Sequence, residues 1–309
     1  VNARIALALA ALAAAAPALS AQEPDTRCEA GPGIWPGEEW ARSNPFAQNT
    51  DGNALNRALD TAGRDLPGIY ALLVVRHGYL VAERYYHGYG SREAFELTNG
   101  TRAVLTTIVG AAVASGALAS ADLPLAAVLP PSAFADTSDP ARAITLRQLL
   151  ASESPVAPQL LSIALARATR RSTREVAIER LFTPLGIRDG RWTWPADDAG
   201  QVSPGFGLRL NGRDLARIGY LYLRDGCWNG RAVLPPGWAK EAAEQGYAWH
   251  AGEFGGRTGY WMTGLGGQYV VAVPELDLVV AIAADPATPP DRAARHLELV
   301  REMIVPAAR

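Results

Sequence analysis

"GFGLRLNGRDLARIGYLYLRDGCWNGRAVLPPGW", residues 205–238, is the stretch from which the rest of the chain can be organised. Leu215, Ile218 and Tyr222 recur at helical spacing, and Gly226 supplies the stop, so "NGRDLARIGYLYLRDG" predicts a helix with one buried face. Pro235 and Pro236 break the chain, and "GWAKEAAEQ" then opens a second, shorter helix. The segments before it are helical too. "TLRQLLAS" begins with Thr145 as N-cap, and "QLLSIALARAT" has apolar residues at helical spacing. "STREVAIERLF" sets Ser172 three residues before Glu175, the capping-box pattern.

Moving outward, β-structure lies at both ends. A helix is predicted from about Asn53 to Arg64, followed by "IYALLVVRHGYLVAERYY", two β-rich runs around the turn dipeptide His77-Gly78. At the far end come "GYWMTG", "GQYVVAVP" and "DLVVAIAA", the last two joined by "PELD". "DRAARHLELVREMI" places Ala293, Leu297, Val300 and Ile304 on one helical face, which should lie against a sheet, with His296 at an exposed position. "RAVLTTIVGAAVASGAL" is apolar nearly all round and predicts a buried helix. The fold class is therefore α/β in composition and α+β in arrangement: an antiparallel sheet built from both ends of the chain, flanked by helices, with an inserted helical region. The expected division is a leader at 1–21, an arm at 22–50 and one domain at 51–309. Its sheet parts fall at about 51–95 and 255–309, and its helical middle at about 96–254.

Composition narrows the function classes. The 309 residues are 49% hydrophobic, enough for an ordinary core. Twenty-nine basic residues against 31 acidic give a net charge of -2, with no field to draw in nucleic acid. Lys240 is the only lysine. "VNARIALALAALAAAAPALSA" has a basic start, an apolar run and small residues, the pattern of a secretory leader cleaved after Ser20 or Ala21. The run from Ile5 to Ala16 is short of the ~20 residues that span a bilayer, so no membrane span is expected after cleavage. The expected location is periplasmic or secreted. Cys28 and Cys227, the two cysteines, are disulfide candidates in such a compartment, with two free thiols as the alternative. They make no zinc site, the four histidines show no ligand spacing, and no metal or organic cofactor is implied.

Five phrases in order carry a resemblance: "LLVVRHGYLVAERYYHGY", "TLRQLLAS", "ERLFTPLGI", the opening stretch, and "GLGGQYVVAVPELDLVVAIAA". Together, from about Gly68 to Ile304, the chain resembles the serine β-lactamase and penicillin-binding-protein superfamily. It is most similar to the class C-like branch that includes esterases, DD-peptidases and 6-aminohexanoate-dimer hydrolases. The resemblance implies a β-lactamase/transpeptidase-like fold. It also implies a Ser-x-x-Lys motif at the start of the buried helix, serine as nucleophile and lysine assisting its deprotonation. Aligned on "TTIVGAAV", the matching positions are Asn99-Gly100-Thr101-Arg102. An asparagine amide is no nucleophile at neutral pH, and arginine stays protonated and cannot act as base. No other register restores the pair, because the residue three before Lys240 is Gly237.

The family's second motif, Tyr-x-Asn or Tyr-x-Ser, maps to Glu153-Ser154-Pro155, where the loop looks shortened. The third, Lys-Thr-Gly or His-Thr-Gly on a strand, has two registers, Met262-Thr263-Gly264 and Arg257-Thr258-Gly259. Spacing to Gly267 and Gln268 favours the first. The strand backbone there could donate part of an oxyanion hole. The expectation is a pseudoenzyme with no confident catalytic residue. Its old cleft, with Asn99, Arg102, Glu153, Thr263, Gly264, Gly267 and Gln268 as binding candidates, would take a small-molecule or peptide ligand, plausibly an anion at the helix N-terminus. A cell-wall enzyme is a second kind of partner to consider. The alternative is an active esterase, amidase or β-lactamase-like hydrolase using other residues. Trp192, Trp194, Trp249 and Trp261 read either as a ligand groove or as core, and His77, His87 and His250 as turn or surface groups.

Overall fold

The computed structural model describes residues 27–29, 31, 33–197 and 201–309, so the leader and its cleavage point lie outside the described residues. The elements begin with helix α1 (Gly52–Asp65), started by Asp51, whose carboxylate accepts the amide protons of Asn53 and Ala54. Strands β1 (Ile69–Arg76) and β2 (Tyr79–Tyr85) follow. His77 and Gly78 between them both have positive φ, 51° and 80°, the backbone of a tight hairpin turn. After β3 (Ala94–Glu96) comes the buried helix α2 (Gly100–Ala114), then α3 (Leu146–Leu150) and α4 (Ala157–Thr169). The capping boxes at Thr145 and Ser172 are both formed. Next are β4 (Trp192–Thr193), β5 (Arg209–Asn211), α5 (Gly212–Leu223), the ribbon β6 (Cys227–Trp228) and β7 (Arg231–Ala232), and α6 (Trp238–Glu244). The chain ends with β8 (Trp249–Phe254), β9 (Arg257–Gly264), β10 (Gln268–Val273), β11 (Leu278–Ala284) and α7 (Pro290–Leu299).

Six strands form one antiparallel sheet in the order β2-β1-β11-β10-β9-β8. The first and last strands are neighbours inside it, second and third from the β2 edge, in register from Arg76 opposite Leu278 to Ala71 opposite Ala283. Both faces of the sheet are covered. Leu72, Val74, Val271, Val280 and Ile282 pack with Leu55, Leu59, Leu299 and Ile304 on one side. Leu73, Val75, Val270, Val279 and Ala281 pack with α2 and α5 on the other. Strands buried on both faces read as unbroken apolar runs, which is why "LLVV" and "LVVAIAA" lack alternation. Each such side chain contributes about 1.5–3 kcal/mol. Gly219 lets α5 sit directly on the sheet: a Cβ there would fall 2.6 Å from Val270 and 2.7 Å from Val279.

Three features depart from the expectations. The sheet begins at Trp249, inside the stretch read as helical middle, because β8 pairs with β9 across Gly255 and Gly256, both at positive φ. A second, three-stranded sheet in the order β3-β5-β4 draws two of its strands, β4 and β5, from that middle. His296 is buried, at 1% exposure, and its Nδ1 lies 2.9 Å from the Gly267 carbonyl; the β9–β10 turn covers the helix position read as exposed.

The described part of the arm is not a loose linker. Cys28 and Cys227 are disulfide-bonded, Trp40 is buried edge-on to Tyr220, and Trp35 packs edge-on to Tyr220 and Trp228. Arg217, fully buried on α5, joins the pieces. Its guanidinium donates to the carbonyls of Leu185 (2.7 Å), Gly37 (2.8 Å) and Glu38 (3.1 Å) and lies 3.3 Å from Asp214, itself fully buried. Burial pushes the Asp214 carboxyl up from its ordinary range, and Arg191 and Arg217 pull it back. Removing one partner of such a pair strands the other. Arg217→Met should therefore lower unfolding stability by about 3 kcal/mol, the low end for a broken buried pair because Arg191 remains 4.0 Å from Asp214. Urea unfolding under non-reducing conditions measures it, and a second substitution, Asp214→Leu, should restore part of the loss.

Candidate functional site

The mouth of α2 is held by a local clamp. Thr98 has φ +49°, a left-handed conformation that is costly for a β-branched residue. Its hydroxyl donates to the Leu97 carbonyl (2.7 Å) and accepts the Leu265 amide proton (2.7 Å). Those bonds tie the segment before α2 to the end of β9. Gly264 makes the approach possible, since a Cβ there would stand 2.6 Å from the Leu97 oxygen. The Leu265 amide, just past Thr263-Gly264, is thereby committed to Thr98.

Asn99 is exposed and makes no capping bond, because its backbone is already helical (φ -60°, ψ -23°) while a capping residue needs an extended one. One turn on, Arg102 donates to the Ser152 carbonyl and lies 3.8 Å from the Glu153 carboxylate. The Arg102 side chain is 17% exposed and that of Glu153 93%. An ion pair with one partner in solvent holds weakly, under about 1 kcal/mol.

These residues border one cleft of about 340 Å³. Its walls are Asn99 at the mouth of α2 and Arg102 within it, Glu153, Ser154 and Pro155 from the loop before α4, Pro158 from α4, Gly205 and Phe206 from the loop before β5, Ala248 just before edge strand β8, His250 on that strand, and Thr263 from β9. The His250 ring sits 5.4 Å from that of Trp261. Burial pushes its pKa below the usual histidine value, and the Glu153 charge opposes that.

Of the residues expected from sequence, Asn99, Arg102, Glu153 and Thr263 meet in this cleft. Gly264 stands behind it as part of the clamp. Gly267 and Gln268 do not line it: the Gly267 carbonyl faces His296, and Gln268, 2% exposed, donates from Nε2 to the Glu96 carbonyl (2.7 Å). Both brace the turn after β9. The register Arg257-Thr258-Gly259 falls at the opposite end of β9, where Arg257 bonds the Gly255 carbonyl. Trp192, Trp194 and Trp249 belong to the core, with Trp249 stacked on Tyr222 at 3.6 Å between centroids, so they form no groove. His250 and Phe206 are among the cleft residues that sequence reasoning missed, with Pro158, Gly205 and Ala248. The Gly255-Gly256 dipeptide between two short runs was the hairpin signal that could have placed His250 on a strand.

Two hydroxyls near the mouth of α2 and the lone lysine are held away from the cleft, whereas Ser154 and His250 line it. Thr98 Oγ is doubly engaged, Thr101 is fully buried, and Lys240 is on the surface, 3.9 Å from Glu244.

The Beta-lactamase family model matches residues 55–303. The chain belongs to the Beta-lactamase family. Solved structures with the same fold include a putative 6-aminohexanoate-dimer hydrolase from Bacillus anthracis, 17% identical, with 92% of this chain and 88% of that one aligned at TM-score 0.61. A class C β-lactamase from Rhodobacter sphaeroides is 18% identical over 82% of this chain and 100% of that one, TM-score 0.61. A penicillin-binding protein homologue from Caulobacter crescentus is 16% identical over 84% and 98%, TM-score 0.60. No curated protein matches the sequence. At such identities the structural likeness establishes the fold alone.

The electrostatics of this Beta-lactamase-family cleft give a direct expectation. In an NMR titration His250 should protonate with a midpoint below the ordinary ~6.5. Glu153→Gln should move that midpoint further down, because the carboxylate is what opposes burial. An upward move in the variant would contradict the assignment.

Proposed function

We propose that this chain is an exported member of the Beta-lactamase family that forms no acyl-enzyme and instead binds a small ligand in the cleft at the mouth of α2. The observation that carries the reading is the pair Asn99 and Arg102, one helical turn apart at that mouth. Acyl transfer needs a hydroxyl that can be deprotonated and a group to take its proton. An amide and a permanently charged guanidinium supply neither. The engaged Leu265 amide points the same way, since a donor already bonded to Thr98 is not free for a developing oxyanion. The cleft nonetheless persists, at the lower end of the volume range of small-molecule sites. Export rests on the leader pattern at residues 1–21 and agrees with the Cys28–Cys227 disulfide, a bond suited to oxidising compartments. No helix among the described residues is long and apolar enough to cross a membrane.

A second reading, an active hydrolase with other residues, has one observation in its favour: Ser154 and His250 line the same cleft. One assay separates the two. With a p-nitrophenyl ester and a chromogenic cephalosporin, the full chain should give no turnover beyond that of its Asn99→Ala and Ser154→Ala variants. Turnover in the unmodified chain that Ser154→Ala abolishes would replace the binding reading with the hydrolytic one.

A further inference from the structure

The cleft's charges are unevenly held. Arg102 is fixed, four-fifths buried, and tied by Nη2 to the Ser152 carbonyl. Glu153 is almost fully in solvent, touches the guanidinium only at 3.8 Å, and sits on the irregular segment between α3 and α4. A guanidinium carries five N–H donors in a fork suited to a carboxylate. At 3.8 Å Glu153 is an ion-pair partner without a hydrogen bond. The geometry is that of a cation covered by a replaceable carboxylate of the protein's own.

The remaining wall is apolar. Phe206 lines the cleft and is 54% exposed, and Pro155, Pro158 and Ala248 lie around it. Val156, 58% exposed, sits in the same loop as Pro155. A large aromatic left half in water at the wall of a concave site gains by being covered, at roughly 25 cal/mol per Å² removed from solvent.

We propose that the cleft takes a small amphiphile with one carboxylate head and a short apolar body, the head displacing Glu153 from Arg102 and the body covering Phe206. Glu153 is then a built-in competitor that sets the affinity threshold. The inference deepens the binding reading above and rests on it. A fixed cation at the floor and an apolar wall beside it select for charge and body together. An uncharged body leaves Arg102 on Glu153, and a bare anion leaves Phe206 in water.

The test is equilibrium dialysis of the full chain with radiolabelled hexanoate, alongside acetate and hexanamide. Hexanoate should bind saturably, with hexanamide and acetate each weaker by about tenfold or more, the loss expected when a charge-assisted contact or a buried body is removed. Glu153→Gln should tighten hexanoate binding by about two- to fivefold, the range for release from a partly exposed ion pair. Arg102→Gln should abolish the preference for hexanoate over hexanamide, with thermal unfolding confirming that the variant folds. Phe206→Ala should weaken hexanoate and leave acetate unchanged. Absence of saturable hexanoate binding, equal binding of hexanamide, or weaker binding in Glu153→Gln overturns the proposal. Ester turnover removed by Ser154→Ala would instead defeat the non-catalytic reading, so the two failures are distinguishable.

Discussion

Everything in this structure hangs on the antiparallel pairing of β1 with β11. Those strands come from opposite ends of the domain, and their ladder, from Arg76 opposite Leu278 to Ala71 opposite Ala283, closes a loop that contains every element from β2 to β10. Closing so long a loop costs entropy that only extensive burial can offset. The two strands supply that burial on both faces, with α1 and α7 on one side and α2 and α5 on the other. Because β1 and β11 lie side by side inside the sheet, with β2 and β8 at its two edges, the helical insertion leaves past β2 and returns to the opposite edge, at β8. The cleft forms where that insertion rejoins the sheet, between the mouth of α2, the loop before α4 and edge strand β8. Arg217 and the Cys28–Cys227 bond then fasten the arm to α5 and the ribbon that follows it.

The clamp of Thr98 between the Leu97 carbonyl and the Leu265 amide keeps α2 registered against β9, at the cost of a strained threonine backbone. The same clamp occupies the Leu265 amide. Asn99 and Arg102 stand in the remaining places with groups that bind anions well and perform no nucleophilic attack. A rigid scaffold with such residues at its focus is suited to recognition.

Much of this was legible in the sequence wherever the signal was local. The hairpin at His77-Gly78, the caps at Thr145 and Ser172, and the apolar runs of β1, β10 and β11 need only their own residues to be read. That Asn99 and Arg102 share the mouth of α2 was readable because three residues make one helical turn. What failed depended on tertiary context. In β8, Ala251 and Gly252 blur the alternation, and only pairing with β9 makes it a strand. His296 looks exposed on its own helix and is buried by a turn from elsewhere. Gln268 sits beside the expected motif, yet its side chain turns to the Glu96 carbonyl. The tryptophans were ambiguous by type, since an aromatic suits a groove and a core equally.

The central claim is that the cleft of this Beta-lactamase-family chain has lost covalent chemistry and kept its shape. Intact-protein mass spectrometry after incubation with a fluorophosphonate and, separately, a penicillin tests it most directly, with an active family member labelled in parallel. The account predicts an unchanged mass for this chain beside a full adduct on the control. A stoichiometric adduct that peptide mapping places on a cleft residue would contradict it.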